Sequence, residues 1–163
     1  DAIRLYEAEL QKAPAEITAN DALGLMKNLK RKHLDAGPYP GLTLFEAANR
    51  IMTDMTILFG IKKLLNREID GIDFPVYTVE FGNENTQDYD ITAHHNGRTL
   101  VGEAFNVSPS FFQGKKYSML KKLRKCEEPE AVKLLLFNAD AVQDSYSPQL
   151  QEGEVFVPVE VAL

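Results

Sequence analysis

The sequence predicts a mixed α/β (α+β) domain in the order α-β-β-β-α-β, a mixed central sheet flanked by helices, with an extra helical segment at its N-terminal side. Three observations predict it. Apolar residues recur at helical spacing between 44 and 65, and the period shortens to that of strands between 74 and 107. A nearly unbroken apolar run, AVKLLLFNA at 131–139, then follows a second helical stretch. With 163 residues the chain fits one domain, 1–163, read as a helical extension over 1–42 and a core over 43–163.

Within the extension, ANDALGLMKNLKRKHLDAG (19–37) reads as a helix with Asn20 as N-cap and Gly37 as stop, and the prolines of GPYPG (37–41) forbid continuation. The core opens with TLFEAANRIMTDMTILFGIKKLLN (43–66). Its Leu44, Ala48, Ile51, Met52, Met55, Leu58, Phe59 and Leu65 make an apolar face wide enough to pack on a sheet. FPVYTVEFG (74–82), DYDITAHH (88–95) and RTLVGEAFNV (98–107) are rich in β-branched and aromatic residues, and NENTQ and Asn96-Gly97 between them suit turns, so three antiparallel strands are expected. Ser108-Pro109 supplies an N-cap and a proline at the first helical position of a helix reaching about Lys125. The run 131–139 then reads as a strand buried on both faces and parallel to 98–107 by a right-handed crossover. EVFVPVEVAL (154–163) supplies a last strand, with Pro158 suited to an edge.

Composition narrows the class. The apolar fraction of 44% and charged fraction of 26% are those of ordinary globular proteins, and no apolar run approaches the roughly 20 residues that span a bilayer, so no membrane partner is expected. Cys126 stands alone, the chain opens at Asp1 rather than methionine, and no signal segment is visible. Together these predict a reducing, intracellular (cytoplasmic) compartment, and they leave a homodimer, or partner domains outside this chain, open. Net charge is −6, yet the eight acidic residues and one basic residue from Glu127 to Leu163 leave 17 basic and 16 acidic before them. The positive runs KNLKRKH (27–33) and KKYSMLKKLRK (115–125) are therefore candidate phosphate-binding surfaces as well as solvated helix faces. No Ser-His-Asp order, glycine-rich phosphate loop, Cys/His zinc spacing or cofactor fingerprint occurs, and no organic cofactor is expected.

The chemistry is concentrated in the hairpin QDYDITAHHNGRTLVGEAFNV (87–107). A two-residue type I′ turn at Asn96-Gly97 sets His95 against Arg98, and the same register carries Asp90 opposite Glu103. Like charges on cross-strand neighbours are destabilising, and a divalent cation would compensate. Alternation places Asp90, Thr92 and His94 on one face with Thr99, Val101, Glu103 and Phe105, while Tyr89, Ile91, Ala93, Leu100 and Ala104 form the apolar face against a core helix. The acids are thus expected on an accessible side. Two carboxylates with a neighbouring backbone carbonyl suit Mg²⁺ (or Mn²⁺), which retains waters, one of which can attack a phosphodiester. His94 lies about 13 Å along the strand from Asp90 and His95 faces the other side, so substrate contact or turn solvation suits them better than ligation. Asp88 shares the Asp90 face and is expected to pair with Phe105. Glu46 is a further candidate ligand, although Thr43-Leu44-Phe45-Glu46 also matches a capping box. A permanent ion pair between either acid and a core-helix cation such as Arg50 is the structural alternative.

Over residues 43–139 this arrangement resembles the PD-(D/E)XK nuclease superfamily: the element order, an Asp on the second strand in YD (89–90), and a Glu on the third in GEAF (102–105). The resemblance implies a metal-dependent nuclease hydrolysing DNA phosphodiester bonds, of restriction or repair type, with Asp90 and Glu103 as catalytic metal ligands. The motif lysine is absent, since Phe105 stands two positions after the acid. The superfamily sometimes supplies that amine from the following helix, which makes Lys116 and Lys115 the expected replacements, with Lys116 preferred for its position three residues after Gln113. Gln113 and Tyr117 resemble the Gln-x-x-x-Tyr element of RecB-like members and, with Lys121 and Lys122 of the basic helix, are expected to contact DNA. The competing reading is a catalytically degenerate module that binds nucleic acid or protein on the same fold.

Overall fold

A computed structural model describes residues 2–12, 19, 21–82 and 87–161. It contains a mixed five-stranded sheet and, among the described residues, four α-helices: α1 (Ala2–Leu10), α2 (Ala22–Arg31), α3 (Leu44–Leu65), β1 (Thr78–Val79), β2 (Ile91–His95), β3 (Arg98–Phe105), α4 (Pro109–Leu123), β4 (Val132–Asn138) and β5 (Glu154–Val159). Among the described residues, no helix is long and apolar enough to cross a membrane.

The chain divides into two compact units, Asp1–Met52 and Thr53–Leu163. The division falls inside α3 rather than at the expected 42/43 boundary, because the first turns of α3 engage the segment before them. Lys30 lies over the Phe45 ring, Arg50 lies over the Tyr39 ring, and His33 makes an isolated β-bridge with Thr43. In this first unit, α2 is capped by Asp21, whose carboxylate accepts from the Gly24 N–H at 2.7 Å. The expected cap, Asn20, lies outside the described residues. The helix stops at Arg31, six residues before Gly37, since Lys32 is already extended.

In the second unit the strands lie in the order β1-β2-β3-β4-β5. β1, β2 and β3 are antiparallel; β3, β4 and β5 are parallel. Asn96 and Gly97 both take positive φ, 50° and 74°, as a type I′ turn requires, and His95 pairs with Arg98 as expected. The first strand is shorter than its sequence suggests, two residues of the expected nine, and β2 begins at Ile91, so Asp88 is not paired with Phe105. Residues 83–86 of the expected turn at 83–87, and the last residues of the expected final strand, 162–163, lie outside the described residues. β5 is an edge strand, as Pro158 requires.

Both faces of the sheet are covered. On one, Ile57 and Leu64 of α3 pack with Ile91, Ala93, Leu100, Ala104, Leu134, Leu136, Val157 and Val159. Approach is closest at Gly60, where an added Cβ would fall 2.4 Å from a Leu136 methyl carbon. On the other, Phe112, Leu120 and Leu123 of α4 cover Val101, Phe105, Leu135 and Phe137. The face bearing the acids, expected to be open, therefore lies beneath α4. Tyr89, expected on the α3 side, packs with the α4 cluster because it precedes β2, where strand alternation does not yet apply.

Candidate functional site

The hairpin register, extended one pair past Ile91↔Gly102, brings Asp90 and Glu103 together at the end of β3 that leads into α4. Backbone and side chain cross-brace them. Asp90 accepts the Ala104 N–H on Oδ2 at 2.9 Å, and the Asp90 N–H in turn stabilises the charged Glu103 carboxyl. The Asp90 carbonyl is bound by the Glu80 N–H at 2.9 Å, which fixes the chain just before β2. Glu103 is only 2% exposed and Asp90 is half-buried. Burial, and then the neighbouring Asp90 charge, push the Glu103 carboxyl up to about 7. Burial also raises Asp90, against the lowering effect of the Ala104 N–H.

One cation answers this pair. Lys122 Nζ stands 2.7 Å from Glu103 Oε1, and its ammonium also lies 5.8 Å from the centre of the Tyr89 ring. The contact is a close ion pair without hydrogen-bond alignment, so Glu103 Oε1 is a buried oxygen with no aligned donor. Lys115 adds positive charge that favours ionised Asp90. Lys115 and Lys122 are seven residues apart, two turns of α4, and thus lie on one stripe.

Lys116 does not turn toward the acids. Its ammonium donates to the Tyr146 hydroxyl at 3.3 Å and lies over the Phe112 and Tyr146 rings, because it follows the buried Phe112 by one turn and shares its edge of the helix. Tyr117 lies on the flank of α4 where Arg124 makes a two-pronged ion pair with Glu154 of β5, at 2.7 and 3.2 Å. The Gln113–Tyr117 pair is exposed and is not brought to the acids. Lys121 is exposed, with no ion pair among the described residues.

Glu46 is a cap. Its Oε2 accepts from the Thr43 N–H at 3.1 Å and the Thr43 hydroxyl at 2.8 Å, while its own N–H donates to Thr43 Oγ1 at 3.3 Å, and these bonds lower its pKa. His94 meets the Thr99 hydroxyl at 3.2 Å and His95 meets the Asn96 amide at 3.0 Å, both at the exposed turn. The ion pair at Glu103 is made by Lys122 of α4, the helix that follows the hairpin.

Sequence reasoning missed Asn138. This buried side chain accepts the Val107 N–H at 2.9 Å, donates to the Val107 carbonyl at 2.9 Å, and so ties the exit of β3 to the end of β4. The only sequence signal is a polar residue ending an apolar strand.

No three His, Cys, Asp or Glu side chains cluster closely enough to hold a metal among the described residues. Two carboxylates on adjacent strands, one of them now paired with Lys122, nevertheless have the oxygen donors of an ion that binds through one or two carboxylates and keeps its waters, as Mg²⁺ does. Comparison with known proteins found no match: no family model, curated protein or solved structure is significantly similar to the chain.

Proposed function

We propose that the Thr53–Leu163 unit is a PD-(D/E)XK-like, metal-dependent nuclease domain, hydrolysing DNA phosphodiester bonds at the acid pair Asp90 and Glu103. The observation that carries this reading is the juxtaposition of two cross-strand carboxylates, Glu103 buried and Asp90 half-buried, with the Lys122 ammonium, 2.7 Å from Glu103. A fold seldom places like charges so, and burial makes each costly unless it serves binding. Asp90 and Glu103 would hold Mg²⁺ or Mn²⁺. Such an ion, when bound, lowers the pKa of a coordinated water and neutralises charge on the phosphate.

The residues divide the work. Cross-bracing by the Ala104 and Asp90 N–H groups holds the carboxylates in fixed directions, so little reorganisation accompanies the reaction. Lys122 brings a positive charge from α4 to the place that Phe105 cannot serve; Phe105 is wholly committed to the core with Phe112 and Phe137. Lys115, one stripe with Lys122, carries charge toward the approaching phosphate.

A second reading rests on the same ion pair. If Lys122 permanently neutralises Glu103, the domain is a nucleic-acid- or protein-binding module without cleavage. Incubation of duplex and single-stranded DNA with Mg²⁺ or Mn²⁺ separates the two. Cleavage by the wild-type protein that falls by orders of magnitude in Glu103→Gln and Lys122→Met supports hydrolysis; the absence of cleavage on every DNA leaves the binding module.

A further inference from the structure

The outer face of α4 poses a question that packing within the molecule does not answer. Gly114 lies in the middle of this 15-residue helix, where glycine is among the least favourable residues. Nothing lies within 4 Å of the Cβ that an alanine would carry, so no neighbour within the described structure demands a glycine there. Gly60 shows the contrast, for its missing Cβ makes room for Leu136. A bare glycine on an open helix face fits the remaining use of the residue, the close approach of something from outside.

Its surroundings indicate what approaches. One turn before Gly114 is Phe111, 70% exposed, and one turn after it is Tyr117, 69% exposed. The core side of α4 is filled by Phe112, Leu120 and Leu123, so neither ring has a place in it. Lys115, Lys121 and Lys125 are exposed around the same face and make no ion pair among the described residues. Two largely exposed rings, a gap in the helix surface between them and a border of cations match a polymer of flat bases on an anionic backbone.

We infer that the Phe111–Gly114–Tyr117 face of α4 is a stacking platform for a single nucleic-acid strand, with bases on the two rings and the sugar-phosphate chain passing against the helix backbone at Gly114. The inference rests on the nucleic-acid reading of this domain and adds to it the strandedness of the substrate. Single-stranded nucleic acid is favoured over a duplex because paired bases offer no faces to side chains outside the stack.

The test is binding of a fluorescein-labelled 12-residue oligothymidylate by the full chain, with thermal melting of each variant. Gly114→Ala is the discriminating variant: it raises Tm by roughly 2–4 °C through helix propensity, yet weakens binding several-fold by filling the gap. Phe111→Ala and Tyr117→Ala each weaken binding about 5- to 100-fold, and Phe111→Trp retains it. Unchanged binding in Gly114→Ala and Phe111→Ala, alongside weakened binding in Lys121→Glu, overturns the platform and leaves a purely electrostatic surface. Competition by polyglutamate as strong as by unlabelled oligothymidylate also overturns it, since that chain has the charge without the rings. No binding by the wild-type protein overturns the platform and the nucleic-acid reading together. Binding that follows these substitutions while no DNA is cleaved in Mg²⁺ removes hydrolysis and leaves the platform standing.

Discussion

Lys122 on α4 holds its ammonium 2.7 Å from Glu103 on β3, a carboxyl that faces Asp90 across the hairpin. The lysine side chain is 43% exposed and that of Glu103 3%, so the pair joins solvent to the interior. Removing the amine leaves a buried charge uncompensated, whereas removing the carboxyl returns the amine to water. The two ends therefore respond differently to mutation.

Replacing the carboxyl should stabilise the protein at high pH. Glu103 titrates near 7 in the folded chain against 4.5 ordinarily, so between those values the folded state holds a proton that the unfolded state has released. Stability from this group is present below pH 4.5, declines as pH rises, and is lost above 7. Glu103→Gln removes that dependence. Its melting temperature without divalent ions, relative to wild type, should rise from pH 5 to pH 8; a constant difference would show that Glu103 titrates normally.

Lys122→Met should act in the opposite sense. The variant loses stability above pH 7, where Glu103 is ionised beside Asp90, and much less at pH 5, where it is protonated. Urea unfolding at the two pH values measures this. Equal losses at both would assign the effect to packing of the lysine stem rather than to charge.

Much of this arrangement was legible in the sequence, and the reasons differ by element. A two-residue Asn-Gly turn fixes every pair in a hairpin, so the opposition of Asp90 and Glu103 follows from counting. The unbroken run 131–139 likewise reported a strand covered on both faces. That same run implied that no face of this sheet is open, as did Val101 and Phe105 beside Glu103, yet hairpin alternation alone suggested an accessible side. Which lysine reaches the acids was hidden because it depends on the rotation of α4. Phe112 anchors that rotation, and it carries Lys116 toward Tyr146, 30 residues away in sequence.

Gly60→Ala should destabilise the protein by about 1–3 kcal/mol, although alanine is the better helix former. The new methyl would fall 2.4 Å from Leu136 in the core between α3 and β4. Denaturant unfolding measures the loss, and pairing the variant with Leu136→Val should recover part of it. A neutral Gly60→Ala would mean that α3 can withdraw from the sheet.

Asn138→Ala should cost about 2 kcal/mol, since it leaves the Val107 N–H and carbonyl without their partner. Amide exchange at Val107 should accelerate more than at Leu135 in the strand interior. Uniform acceleration would show that Asn138 supports the whole sheet rather than the exit of β3.

Arg124 is committed to Glu154 and Lys122 to Glu103, so reversing either tests stability rather than binding. Lys121 and Lys125 are the informative pair on this helix: reversing both should lessen the salt dependence of nucleic-acid binding and weaken all sequences alike. An unchanged salt slope would take the helix out of the interface.

The claim that Asp90 and Glu103 form a divalent-metal site is tested most directly by titrating the protein with Mn²⁺ and following the free-ion electron paramagnetic resonance signal. One bound ion per chain is expected in the wild type, with loss of that site in Asp90→Asn and weaker binding below pH 7 as Glu103 takes up its proton. A wild type that binds no Mn²⁺, or binds it unchanged in Asp90→Asn, would contradict it.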